Sequence, residues 1–223
     1  MTETEAPTVE RGAFPATFRR LLANTLVTGV TSSFVWFALT FWVYLETRSV
    51  VATGVIGGAF SISSALLGPY FGTFVDRHRK HTAMLVSTAA MAVGLGASTV
   101  VFLAVDRDSL LELGRPWFWL LIGTALLGSV AGQMRGIALS TCVTLLVPED
   151  RRDRANGLVG TISGLSFAVT SVFSGLVIHH LGMGWALYGS VAFTLGALVH
   201  LRTIVIDEAE PAPPAEGEST AHV

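Results

Sequence analysis

The sequence predicts an all-α membrane protein of six transmembrane helices, on three observations. Hydrophobic residues make up 51% of the 223-residue chain and charged residues only 13%, about half the charged share of a soluble domain. The charges cluster, leaving apolar runs as long as the ~20 residues that cross a bilayer. Those runs are continuous, without the period-two alternation that marks the strands of a membrane barrel.

The elements follow in order. Residues 1–18 are polar and mixed in charge and read as a cytoplasmic amino-terminal segment; the first apolar run is too long for the core of a cleavable signal. Spans fall near 21–45, 50–75, 82–105, 117–146, 155–178 and 184–204, inside a transmembrane domain of 19–205. The fourth reads either as one long helix or as a span ending near Arg135 with a helical extension to Leu146. Gly57, Gly58, Gly128, Gly132, Gly160 and Gly164 lie inside spans, as expected where backbones approach closely in lipid. Residues 206–223 are acidic and Pro-rich without apolar periodicity, and are expected to be a disordered cytoplasmic tail or the start of a truncated central linker.

Loop charges orient the helices. One side carries Arg11, Arg19, Arg20, Arg77, Arg79, Lys80, Arg151, Arg152, Arg154 and Arg202; the other carries Arg48, Arg107 and Arg115. Cytoplasmic loops collect Lys and Arg, so ten against three puts both termini in the cytoplasm. The net charge of −2 adds nothing to this, because position rather than sum decides orientation.

Several functions are disfavoured. The single Cys142 cannot form an internal disulfide, and no Cys/His cluster suggests a metal site or another cofactor. No phosphate-cradling Gly-Lys-Ser/Thr loop is present, so the chain does not itself use ATP. Basic residues are dispersed among loops, which gives nucleic-acid binding no support.

One charged stretch stands out. In GTFVDRHRKH, Gly72 to His81, the last six residues are all ionisable. Arg77, Arg79 and Lys80 need no explanation beyond a cytoplasmic loop. Asp76 does, because it ends the second span, where the helix dipole is negative and a carboxylate is opposed. Adjacent cations or the amino terminus of another helix must compensate it.

The run Gly72–Lys80 resembles the signature G-x-x-x-D-R-x-G-R-[RK] between the second and third helices of the major facilitator superfamily. Gly72, Asp76 and Arg77 match; Arg79 replaces a Gly, and Lys80 stands where the closing basic pair begins. The resemblance extends over about residues 15–205. Leu146–Ile178 is similar to the fourth-to-fifth-helix region of bacterial drug- and siderophore-exporter-like members, through Leu146, Val147, Pro148, Ala155 and Asn156. It implies an amino-terminal six-helix half built from two inverted three-helix repeats. It further implies a cytoplasmic gate at Gly72, Asp76, Arg77 and Lys80, with Asp76 docking on a helix of the other half. Two family elements tied to proton coupling depart from the pattern: a fourth-helix Arg falls at about Thr124, and the fifth-helix G-P-x-x-G-G is replaced at Thr170–Gly175. Small residues persist there, so Gly160, Gly164, Ser174 and Gly175 are expected to pack helices, and proton coupling stays open.

Arg135 is the one charged residue well inside a span. It either lines a cavity and pairs with substrate, or snorkels to the interface or pairs structurally. Gln133, two residues away, is expected on a different face. The first span is rich in hydroxyls that can bond their own helix; its sharper reading is a stripe of Asn24, Thr28 and Thr31 along a substrate path. Trp36 and Phe37 nearby suit apolar substrates or interfacial anchoring. An intramembrane Ser protease of the rhomboid kind needs G-x-S-G on the fourth span, whereas GTISG (Gly160, Ser163, Gly164) is one residue longer and sits on the fifth. His200 lies toward the opposite side of the membrane from His179 and His180, and no Ser–His pair shares a depth.

Taken together, the expectation is a half or truncated secondary transporter in the cell membrane. It exports small amphipathic molecules by alternating access and needs a second six-helix half or a second copy of itself. The alternative is a six-span scaffold, regulatory partner or inactive fragment with no transport cycle.

Overall fold

A computed structural model describes residues 14–204. The start of the expected cytoplasmic segment, with Arg11, and the acidic tail lie outside the described residues. Helices run Ala16–Thr47 (α1), Val50–Arg77 (α2), Lys80–Ala104 (α3), Arg107–Leu111 (α4), Pro116–Leu146 (α5), Arg152–His180 (α6) and Gly182–Arg202 (α7), with a 3-10 turn at Glu149–Arg151. All but α4 are long and apolar enough to span a membrane, which makes six spans. The fold is all-α, as the sequence predicts.

Local chemistry sets the ends. Ser49 accepts the Ala52 N–H at 3.1 Å to cap α2, and Asp106 accepts the Ser109 N–H at 2.8 Å to cap α4. Pro116 opens α5 at a position that needs no donor. α5 is unbroken through Arg135 to Leu146. Its 31 residues run about 47 Å at ~1.5 Å per residue, against a hydrocarbon layer of ~30 Å. One helix thus supplies both the span and its extension.

The buried core divides along the helix axes. Phe18, Leu21, Val75, Met84, Leu139 and Val143 form one apolar cluster. Leu39, Trp42, Ile56, Phe118, Leu121 and Leu187 form another. Along α1 the buried polar residues Asn24, Thr28 and Thr31 fall between them. The buried hydroxyls mostly bond a carbonyl of their own helix, as Thr31 does to Val27 O at 2.8 Å. Ser87, in contrast, crosses from α3 to Ala131 O of α5 at 2.8 Å.

Packing partners carry an internal symmetry. Number the six long helices as spans one to six. The pairs in contact are one with five and two with four, one with six and three with four, one with two and four with five, two with three and five with six, one with four, and three with six. Exchanging the first three spans with the last three returns the same set. Spans three apart run in opposite directions, so the relation is an inverted repeat. The tightest crossing lies between α3 and α5: a Cβ on Gly94 would sit 2.6 Å from Gly128 Cα.

Candidate cavity and helix-end motif

Residues of α1, α2, α3, α5 and α6 enclose a cavity of about 350 Å³. Thr25, Thr28, Trp36, Phe60, Thr88 and Arg135 are among its lining residues. α1 faces it because Thr25, Thr28, Ser32 and Trp36 recur every three to four residues, the spacing of one helix face. The wall is amphipathic: the Trp36 and Phe60 rings lie 4.6 Å apart, and Phe167 meets Phe37 at 4.8 Å.

Arg135 does not snorkel. It is 3% exposed and pairs structurally while lining the cavity. One guanidinium nitrogen donates to Thr88 Oγ1 at 2.8 Å and another to Asn24 Oδ1. Its Nε has no hydrogen-bond partner among the described residues, and neither does Thr25 Oγ1. Asn24 in turn donates to Ala197 O of α7 at 2.9 Å. Its Nδ2 also lies 2.9 Å from His200 Nδ1, so in this geometry His200 Nδ1 accepts and its proton sits on Nε2. Asn24 therefore links α1, α5 and α7 from behind the cavity wall rather than lining it.

The first-span stripe divides accordingly. Thr28 lines the cavity, Asn24 holds Arg135, and Thr31 is buried without reaching the cavity. Gln133, expected on a different face, also lines the cavity, because the opening is wide enough to take in more than one strip of α5. Sequence reasoning did not single out Thr88 or Thr25. A hydroxyl three or four residues from an apolar neighbour carries no signal until the facing helix is known.

At the other motif, the break between α2 and α3 takes only His78 and Arg79. Arg79 has φ −58° and ψ 134°, a conformation open to any residue, so the turn stands without the Gly of the family signature. Lys80 Nζ donates to Val75 O at 2.7 Å, placing its cation on the end carbonyls of α2. Arg152 does the same for α5, donating to Thr144 O at 2.9 Å and Val147 O at 3.2 Å. Asp76 and Arg77 are exposed, and the Asp76 carboxylate forms no ion pair among the described residues. A Cβ on Gly72 would meet nothing within 4 Å.

On α6, Ser174 is buried and Gly175 faces Phe41 of α1, with its Cβ direction 3.6 Å from the ring. Gly160 and Gly164 face open space. Ser163 bonds Val159 O of its own helix at 2.9 Å and has no hydrogen bond to a His.

Six spanning helices, paired as inverted repeats around a partly polar cavity, define a multi-pass membrane bundle. A family model described as Major Facilitator Superfamily matches residues 21–222, and the chain belongs to that superfamily. It is also similar to two curated proteins, both called macrolide efflux protein A, from Streptococcus pyogenes and from its serotype M6 strain. Each is 23% identical over 190 residues, which cover 85% of this chain and 44% of the relative. The chain thus spans less than half the length of the curated relatives it matches.

Proposed function

We propose that the chain is one six-helix half of a secondary transporter that exports small amphipathic molecules by alternating access. The observation that carries this is the cavity among α1, α2, α3, α5 and α6, lined by the polar Thr28, Thr88 and buried Arg135 and by the aromatic Trp36, Phe60 and Phe167. Two further features support it. α2 and α6 are the least buried spans, at 11% and 22% of their most apolar windows, and the internal symmetry exchanges them. Helices in that position are suited to meet a second half across a shared cavity. The match to 44% of each relative also leaves room for such a half.

In this reading both termini are cytoplasmic and the protein sits in the cell membrane. Asp76, which forms no ion pair among the described residues, docks on a helix amino terminus of the second half and latches the cytoplasmic side. Lys80 serves the α2 end locally, and Arg77 is left for the partner. Substrate enters the cavity beside Thr28 and Arg135, and rocking of the halves exposes it to either side.

The test is reconstitution of the chain alone and together with a carboxyl-terminal six-helix unit. Efflux of a macrolide and of an amphipathic dye would be read under a proton gradient. Transport is expected only with both halves present. A stable monomer that moves the dye would sink the half-transporter reading. Failure of the complete assembly to move any compound would leave the six-span scaffold.

A further inference from the structure

Arg135 carries a charge that no described residue neutralises. Inside the spans it has only neutral partners, Thr88 and Asn24. Every acidic residue in the described region lies at or near a helix end or in a loop: Glu46, Asp76, Asp106, Asp108, Glu112, Glu149, Asp150 and Asp153. The ion pairs among described residues are Arg107–Glu46 and Arg115–Glu112, both away from Arg135. A cationic residue as buried as Arg135 (3% exposed) in a membrane bundle needs a counter-charge or a dense set of acceptors. Two neutral oxygens supply part of that, and Nε remains unpartnered beside the cavity.

We propose that the cavity takes an organic anion, a carboxylate joined to an apolar body, with Arg135 as its counter-charge. This rests on the transporter reading of the same cavity and names its substrate class. The guanidinium suits it: Thr88 and Asn24 take two of its five N–H groups, and the three left, Nε among them, can serve a carboxylate once the buried side chain turns toward the cavity it lines. Thr25, another lining residue, has a buried hydroxyl that is also unpartnered among the described residues. Trp36, Phe60 and Phe167 give the apolar body an aromatic surface. A cationic ligand would meet the buried guanidinium with like charge, and a purely inorganic anion would leave the aromatic walls unused.

The experiment reads binding on the full chain in lipid nanodiscs, by calorimetry, with four probes. These are 1-naphthaleneacetate, its neutral amide, 2-(1-naphthyl)ethylammonium and inorganic phosphate. The carboxylate is expected to bind at least about tenfold more tightly than its amide, the scale of one charge-assisted hydrogen bond, with the amine and phosphate weaker still. Arg135→Gln should abolish the preference, Arg135→Lys should keep part of it, and Arg107→Gln, outside the cavity, should leave it intact. Should Arg135→Gln fail to fold, the wild-type ranking of the four probes still decides. Equal binding of amide and carboxylate, binding of phosphate as tight as the carboxylate, or no binding at all would overturn the proposal.

Repeating the titration with the second half present asks whether a partner acid takes the place of the ligand. Disappearance of the carboxylate preference there would assign the counter-charge to the partner and overturn the proposal. Because binding is read without transport, its outcome stands apart from that of the efflux test. Loss of the anion preference alongside intact dye efflux would remove only the present inference.

Discussion

Gly94 of α3 lies directly against Gly128 of α5, with its Cβ direction ending 2.6 Å from Gly128 Cα and 2.8 Å from Thr124 O. Both obstructing groups are backbone, which cannot rotate aside as a side chain can. Gly94→Ala is therefore expected to force the helices apart and cost on the order of 1–3 kcal/mol, lowering the melting temperature in detergent. Gly164→Ala, whose Cβ meets nothing within 4 Å, serves as the silent control. Equal melting temperatures for both variants would show that the α3–α5 crossing is loose.

Asn24 joins Arg135 to Ala197 O and His200, and its two substitutions separate its roles. Asn24→Leu strands the buried guanidinium and should destabilise the chain by about 1–3 kcal/mol, the cost of an unsatisfied buried group. Asn24→Asp instead places a carboxylate beside Arg135. It should fold and lose the preference for the carboxylate probe over its amide. Retained preference in Asn24→Asp would mean that Arg135 is not the recognition group.

Asp76 and Lys80 should part company in stability and function. Lys80 caps α2 at Val75 O, so Lys80→Met should lower the melting temperature by an amount corresponding to roughly 0.3–1 kcal/mol. Asp76 is exposed and forms no ion pair among the described residues, so Asp76→Asn should leave the isolated chain's stability unchanged or raise it by up to roughly 1 kcal/mol, by removing a carboxylate from the negative end of α2. In a complete two-half protein, with expression matched, it should loosen the cytoplasmic gate and change efflux. Unchanged efflux and unchanged cytoplasmic accessibility would reduce Asp76 to a loop charge.

Orientation is testable with single cysteines. Cys142 is buried, and in a Cys142→Ser background Ser109→Cys should react with an impermeant external thiol reagent while Ser219→Cys should not. Ser109 lies in α4, between α3 and α5; Ser219 lies outside the described residues. Labelling in the reverse pattern would invert the topology.

The α4 loop should be sensitive to acid. The Ser109 backbone N–H holds the Asp106 carboxyl below its ordinary value, so the unfolded loop binds a proton more readily than the folded one. The capping contribution is complete above the ordinary carboxylate range and is lost as pH falls through the lowered value. Protection of the Ser109 amide against exchange, relative to its intrinsic rate at each pH, should fall over that acidic window in wild type and be low at every pH in Asp106→Ala. Protection in wild type that does not change across that window would remove the cap.

The six spans, their number and their all-α character were determined by the sequence alone. A run of ~20 apolar residues in lipid has only its own backbone to satisfy its polar groups, so composition suffices to make it a helix. The Gly72–Lys80 signature was legible for a similar reason, since its residues are contiguous and its spacing survives translation into structure. Tertiary structure decided what Arg135 does. A long cation inside a span can snorkel or turn inward, and the choice depended on Thr88 and Asn24, which lie 47 and 111 residues away in the chain. It also placed the closest glycine contact at Gly94 and Gly128 rather than at Gly160 and Gly164. A glycine's value in a membrane helix depends on whether another backbone faces it, and that is a property of two helices, not of one sequence.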